Sequence, residues 1–200
     1  MSNGLIVLLG LFAAVAVWAV AVFNRLVRSR NLMRNAFSQI DVQLKRRHDL
    51  IPGLVNTARG YLQHERQTLE GVTLARQRAS DARSAAAAPA RRPDAELLEA
   101  LDRAEAGLNT ALGKFALVVE AYPELKADRT IMQLSEELTS TENRIGFSRQ
   151  AFNDAVNAYN DAIGVFPASL VATACGFTPA GQLRSTTSAV ERSPVAVTLT

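Results

Sequence analysis

The chain has 200 residues, 48% of them hydrophobic and 20% charged, with a net charge of +3. That apolar share excludes a chain disordered throughout, and the single cysteine, Cys175, excludes an intrachain disulfide framework. With His48 and His64 as its two histidines, the sequence also lacks the ligands for a closed zinc site, so no metal or other cofactor is expected.

Residues 4–23 carry no ionisable side chain, and Arg25, Arg28, Arg30 and Arg34 follow at once. As a helix the apolar run covers about 30 Å, the hydrocarbon thickness of a bilayer. It reads as a transmembrane helix. Residues 24–48 add Lys45, Arg46 and Arg47 against Asp41 alone, and basic flanks stay cytoplasmic. The expected arrangement is a single-pass protein of the inner membrane, with residues 1–3 outside and the C-terminal domain in the cytosol. A cleaved signal peptide fits less well, because the run has no basic stretch before it, is too long and has its charges on the wrong side. The arginines at 25, 28, 30 and 34 are placed to face anionic lipid headgroups, each contributing about 1 kcal/mol of attraction near the surface. Nucleic acid is not expected as a partner, since aromatic platforms and base-reading motifs are absent.

Beyond the anchor the periodicity is helical. Met33, Phe37, Ile40 and Leu44 step by three and four, and Ile51, Val55, Ala58, Leu62, Leu69 and Val72 form a second such face. Asp49 is a candidate cap and Pro52 lacks a backbone donor, so a turn or sharp kink is expected between them. A fold-back there would give four helices of similar length; a kinked rod would reach about 90 Å from the membrane. Residues 84–93, Ala-rich and punctuated by Pro89 and Pro93, read as a loop, with Asp94 in the first turn of the next helix. Leu101, Leu108, Phe115 and Tyr122 recur every seven positions, as do Ile131, Leu138, Ile145, Phe152 and Tyr159. Two long antiparallel helices follow, joined across residues 123–129, and Phe166-Pro167 ends the second. Strand patterns are absent. The fold class is therefore all-α: an N-terminal transmembrane helix, then an antiparallel four-helix bundle over residues 24–177, its segments about 24, 34, 28 and 34 residues long. Residues 178–200, rich in Ser, Thr, Pro and Ala, are expected to be a disordered tail.

The run RNAFSQIDVQLKRRHDLIP at residues 34–52 resembles the signature of the LemA proteins, bacterial single-pass membrane proteins. Gly60-Tyr61 with His64-Glu65, Glu142-Asn143-Arg144-Ile145, the stretch from Phe152 to Asn160, Phe166-Pro167 and Gly176-Phe177 continue it in order. The likeness covers about residues 1–177, and it departs at Cys175, where the family usually has an aromatic residue, and at Arg184, which replaces an acidic ending. The resemblance implies a membrane-anchored antiparallel bundle without an established activity. It also implies company: LemA-like genes often neighbour a membrane zinc metalloprotease of the HtpX type or a TPM-domain protein, and a LemA-like protein takes part in building magnetosome membranes.

The residues themselves point away from catalysis. His64-Glu65 opens like a zinc-protease helix, but that motif needs a second histidine where Thr68 stands. No elbow or glycine-rich loop surrounds a serine or cysteine nucleophile, and Cys175 reads as a small packing residue. The chain is not expected to be an enzyme. Its most suggestive cluster is Asp41, Lys45, Arg46, Arg47, His48 and Asp49. Asp41 and Lys45, four apart, read as a surface ion pair worth about 0.3–0.5 kcal/mol. The rival reading is that this charged knot recognises a partner, a lipid headgroup or a neighbouring copy. Tyr61, Asn143, Arg144, Asn153, Asn157 and Asn160 flank the stripes, and interhelical hydrogen bonds are their first assignment. Two functions remain: an interaction or scaffold module, in membrane-protein quality control or membrane organisation, that presents a face to another membrane protein or to itself, or a self-assembling, membrane-shaping protein that engages anionic lipid.

Overall fold

An apolar stripe on a helix is stable only when a second surface covers it, and the pairing of stripes sets the architecture. A computed structural model describes residues 3–88 and 95–183. Its helices are α1 (Asn3–Arg59), α2 (Arg66–Ala86), α3 (Ala95–Ala121), α4 (Pro123–Lys126), α5 (Arg129–Gly164) and α6 (Ala168–Ala174). Among the described residues there is no strand. The stripe of α1 packs along α5, α2 packs along α3, and α1 with α2 closes the bundle.

The first segment is one helix, not two. α1 passes through Pro52 and ends at Arg59, so of the turn or kink expected at Asp49 to Pro52 the turn is absent there, and the chain reverses at residues 60–65 instead. The physical reason is local. Proline at position 52 removes the N–H that would bond the His48 carbonyl, and Arg76 of α2 donates its Nε to that oxygen at 2.8 Å. The helix therefore continues without an orphaned acceptor. Asp49 does not cap; its carboxylate pairs with Lys45 at 3.4 Å. The chain turns where Tyr61 and Leu62 both donate their N–H to the Ala58 carbonyl at 3.0 Å.

The first part of α1 stands apart. Leu5, Ile6, Val7, Leu8, Leu9, Leu11, Phe12, Val15, Val17 and Val20 are all exposed, whereas from Leu26 onward the buried stripe begins. A helix apolar all round and covered by nothing is consistent with membrane anchoring.

Two apolar clusters fill the bundle. One, near the anchor, joins Leu26, Phe37 and Leu44 of α1 to Leu98 and Leu101 of α3 and to Ile145, Phe152, Val156 and Tyr159 of α5. Phe37 and Phe152 meet edge to face, their centroids 5.6 Å apart. The other, at the far end, holds Ile51, Leu54 and Ala58 with Leu69, Val72, Leu108, Phe115, Leu125 and Ile131. Each fully buried Leu or Ile stabilises the fold by about 1.5–3 kcal/mol.

At the far tip Asp128 caps α5, accepting from the N–H of Thr130 at 2.8 Å and of Ile131 at 3.1 Å. Its other oxygen accepts the Tyr61 hydroxyl at 3.0 Å, which ties the α1–α2 turn to the start of α5. At the anchor end α6 closes with a Schellman turn: Gly176 sits at φ 70°, and Phe177 N–H reaches the Ala172 carbonyl at 2.9 Å.

Residues 178–183, expected within the tail, are bound to α5. Asn160 exchanges two hydrogen bonds with Ala180, at 2.9 and 3.0 Å, and Asn153 exchanges two with Leu183, at 2.8 and 3.0 Å. Tyr159 donates to the Thr178 carbonyl at 3.0 Å. A Cβ on Gly181 would lie 3.1 Å from Ala95 Cα, so glycine lets this strap cross from α5 to the start of α3. The remainder of the expected tail, with Arg184, lies outside the described residues, as do Pro89, Pro93 and Asp94.

Candidate functional site

Between the two apolar clusters lies a polar layer, and the sequence placed half of it in view. Arg47 and His48, adjacent on α1, both turn inward and are 4% and 2% exposed. Glu105 of α3, 1% exposed, receives them on separate oxygens: Arg47 Nη1 at 3.1 Å on Oε2 and His48 Nε2 at 2.9 Å on Oε1. Arg47 also donates to Asn109 of α3 and reaches Glu142 of α5 at 3.2 Å. One turn away on α3, Asp102 pairs with Arg149 of α5, both buried. Arg76 completes the layer from α2. Four helices are thus joined by charges that each need a partner, because a buried unpaired charge is costly.

The charged knot read from the sequence is divided by this arrangement. Arg47 and His48 belong to the interior. Asp41 pairs with Arg83 of α2 at 2.6 Å rather than with Lys45. Arg46 meets Glu137 of α5 at 3.4 Å on the surface, and Lys45 and Asp49 remain there too. Of the basic residues after the anchor, Arg25, Arg28 and Arg34 are exposed, while Arg30 lays its guanidinium 5.2 Å from the centre of the Phe177 ring. Asn153 and Asn160 hold the strap rather than a neighbouring helix, and Asn157 accepts from Gln182 in the same strap at 2.5 Å. Asn143 and Arg144 are exposed on α5. Cys175, read as a packing residue, is exposed at the end of α6 instead.

Above the polar layer the fourth side of the bundle is open. Between α3 and α5, toward the tip, lies a groove of about 800 Å³. Leu112, Phe115 and Val119 form one wall, Ile131 and Leu138 the other, with Leu54 of α1 as floor. Met132, 52% exposed, stands on the rim. Arg47, Asn109 and Glu142 close the inner end, and Glu120 paired with Lys126 at 2.5 Å marks the outer end. Sequence reasoning missed this groove and Glu105, although an acidic residue one turn from Leu101 on the apolar face of α3 was the available signal. Among the described residues no three His, Cys, Asp or Glu side chains cluster as a metal site would require.

An apolar N-terminal helix of membrane-spanning length, continuous with a long antiparallel bundle, defines the class: a helical-bundle protein with an anchor-like first helix. The LemA family model matches residues 36–198, and the chain belongs to the LemA family. It is 28% identical over 149 residues to Protein LemA of Metamycoplasma hominis, covering 74% of this chain and 63% of that protein. It is 34% identical over 79 residues to Magnetosome protein MamQ of Magnetospirillum gryphiswaldense, and likewise to MamQ 2 of Paramagnetospirillum magneticum, covering 40% of this chain and 29% of each relative. The chain thus spans less than two thirds of the length of these relatives.

Proposed function

We propose that the protein is a membrane-tethered interaction module whose α3–α5 groove receives a helical segment of another membrane protein. The observation that carries this reading is the groove itself, apolar along its α3 wall, mixed along α5, where Ser135 and Thr139 alternate with Ile131 and Leu138, and charged at its two ends. That pattern suits an amphipathic helix, which lays an apolar face in a groove and leaves its ends to charged groups. The polar layer beneath supports the reading, since Arg47 at the inner end is held by Glu105 and Asn109 and needs no reordering to meet a partner. In this reading the chain performs no reaction; it holds the extramembrane part of a client at the far end of the bundle. By family analogy the clients to test first are an HtpX-type protease and a TPM-domain protein. In this reading the basic flank of the apolar helix keeps the bundle in the cytosol, with the N-terminus outside the inner membrane.

The test is crosslinking of the full-length protein in its native membrane, followed by mass spectrometry and sizing of the complexes. Links from groove residues to one membrane protein support the reading. Links between copies alone, in large assemblies, favour a membrane-organising protein instead. That second reading draws on the exposed Arg25, Arg28 and Arg34 beside the anchor, which suit anionic lipid, and on the likeness to a magnetosome protein.

A further inference from the structure

The corner between α5 and α6 exposes Val165, Phe166 and Leu170 at 62%, 75% and 62%, a concentration of large apolar side chains that the bundle leaves uncovered. Their height in the molecule follows from the register of α5 on α1. Gly53 lies against Leu134, Arg47 meets Glu142, and Phe37 packs on Phe152, so each step back along α1 is one step forward along α5. Carried to the end of α5, this register sets Val165 and Phe166 level with Asn24 and Phe23, where the apolar run ends. A second contact sets the other end of α6 beside the same part of α1: Phe177, just after α6, meets Phe23 edge to face, with ring centroids 5.8 Å apart.

We infer that the α5–α6 corner inserts into the headgroup and acyl boundary of the leaflet that holds the anchor, with anionic bilayer lipid as its partner. This rests on the anchor reading of α1. Two properties of the site select lipid over a protein partner. Phe and Leu side chains with charged neighbours are the composition of interfacial segments, which bury their apolar side about 5–10 Å deep. Arg25 and Arg28 stand exposed at the same level, against Asp161 of α5, so the rim favours anionic headgroups. The insertion gives the bundle a second foot on the membrane and fixes its tilt, which a lone transmembrane helix leaves free.

The experiment uses the full-length protein in vesicles of phosphatidylglycerol and phosphatidylcholine, part of it brominated on the acyl chain to quench nearby indoles. The native Trp18 reports the anchor. In a Trp18→Phe background, Phe166→Trp reports the corner, and Phe147→Trp reports an exposed position on α5 level with Val42, about 28 Å beyond Phe23. The expected result is strong quenching of Trp18 in the parent and quenching of the F166W variant at least threefold above that of F147W. Quenching of Trp18 with F166W no different from F147W overturns the corner and leaves the anchor standing. An unquenched Trp18 overturns the anchor reading, and the inference with it. Far-UV circular dichroism of each variant checks that exposed-site substitutions leave the bundle folded.

Discussion

Glu105 decides the character of the interior more than any apolar residue does. It is the shared acceptor of Arg47 and His48, and its removal leaves a guanidinium and an imidazole in a layer with little water access. Glu105→Ala is expected to destabilise the fold by about 3–5 kcal/mol, the range for breaking a buried pair, measured by chemical denaturation of the full chain in detergent. A loss under 1 kcal/mol would show that the layer is not a network. A second residue-scale prediction concerns Pro52. Arg76→Met strands the His48 carbonyl and is expected to cost about 1–3 kcal/mol. In a Pro52→Ala background the restored N–H takes that carbonyl, so the same change costs less; a double-mutant cycle measures the coupling, expected at about 1 kcal/mol or more. The density of charge over residues 45–49 was legible, but its division between interior and surface was not. Steps of three and four from Leu44 and back from Ile51 both land on Arg47 and His48, so the pair shares the buried face of α1; a break expected at Asp49 to Pro52 hid that register, and Glu105, which receives them, lies on another helix.

At the scale of elements, the stripes were legible and the joints were not. The seven-residue recurrence through Phe152 and Tyr159 located α5, and the one through Leu101, Leu108 and Phe115 located α3, because apolar periodicity is a local signal. Pro52 misled because its cost depends on whether a distant donor serves the freed carbonyl, and Arg76 lies 24 residues away in the sequence. The strap was read as tail because its composition is that of a loop; its order comes from three asparagines on α5. The Asp128 cap gives a prediction with a pH sign. The Ile131 N–H foremost, with the Tyr61 hydroxyl and the Thr130 N–H, holds the Asp128 carboxyl below its ordinary range. Its contribution is therefore full above the unfolded carboxylate value and is lost as pH falls through the lowered one. The same hydrogen bond, with the Asp128 charge, pushes the Tyr61 hydroxyl up, so its contribution is present below about pH 10 and fades as pH rises through the raised value. Thermal melts of Asp128→Ala are expected to fall below the parent at pH 7 and to converge with it in acid. A constant gap down to pH 2 would contradict the cap.

For the whole molecule, a single 57-residue helix joins the apolar N-terminal segment to the bundle, so the groove stands at a set distance from that segment. From Phe23 to Leu54 along α1 is about 46 Å. A client helix would meet the groove well clear of the headgroups. The expected cytosolic placement of the bundle is checked with Thr110→Cys on exposed α3 in a Cys175→Ser background. A membrane-impermeant maleimide should label it only after permeabilisation, and labelling of intact cells would reverse the topology. The apolar helix of membrane-spanning length and its basic flank were legible because length and charge are read one residue at a time. The groove was not, since it lies between residues of α3 and α5 that are far apart in the chain, and no single stripe records how two helices sit together.

The most direct measurement places a photocrosslinking residue at Met132, on the groove rim, and another at Leu74, on the α2–α3 face, in the full-length protein in its native membrane. An interaction module of the kind proposed gives a discrete adduct with one membrane protein from position 132 and none from position 74. Adducts of equal yield and the same identity from both positions, or none but copies of the chain itself, would contradict it.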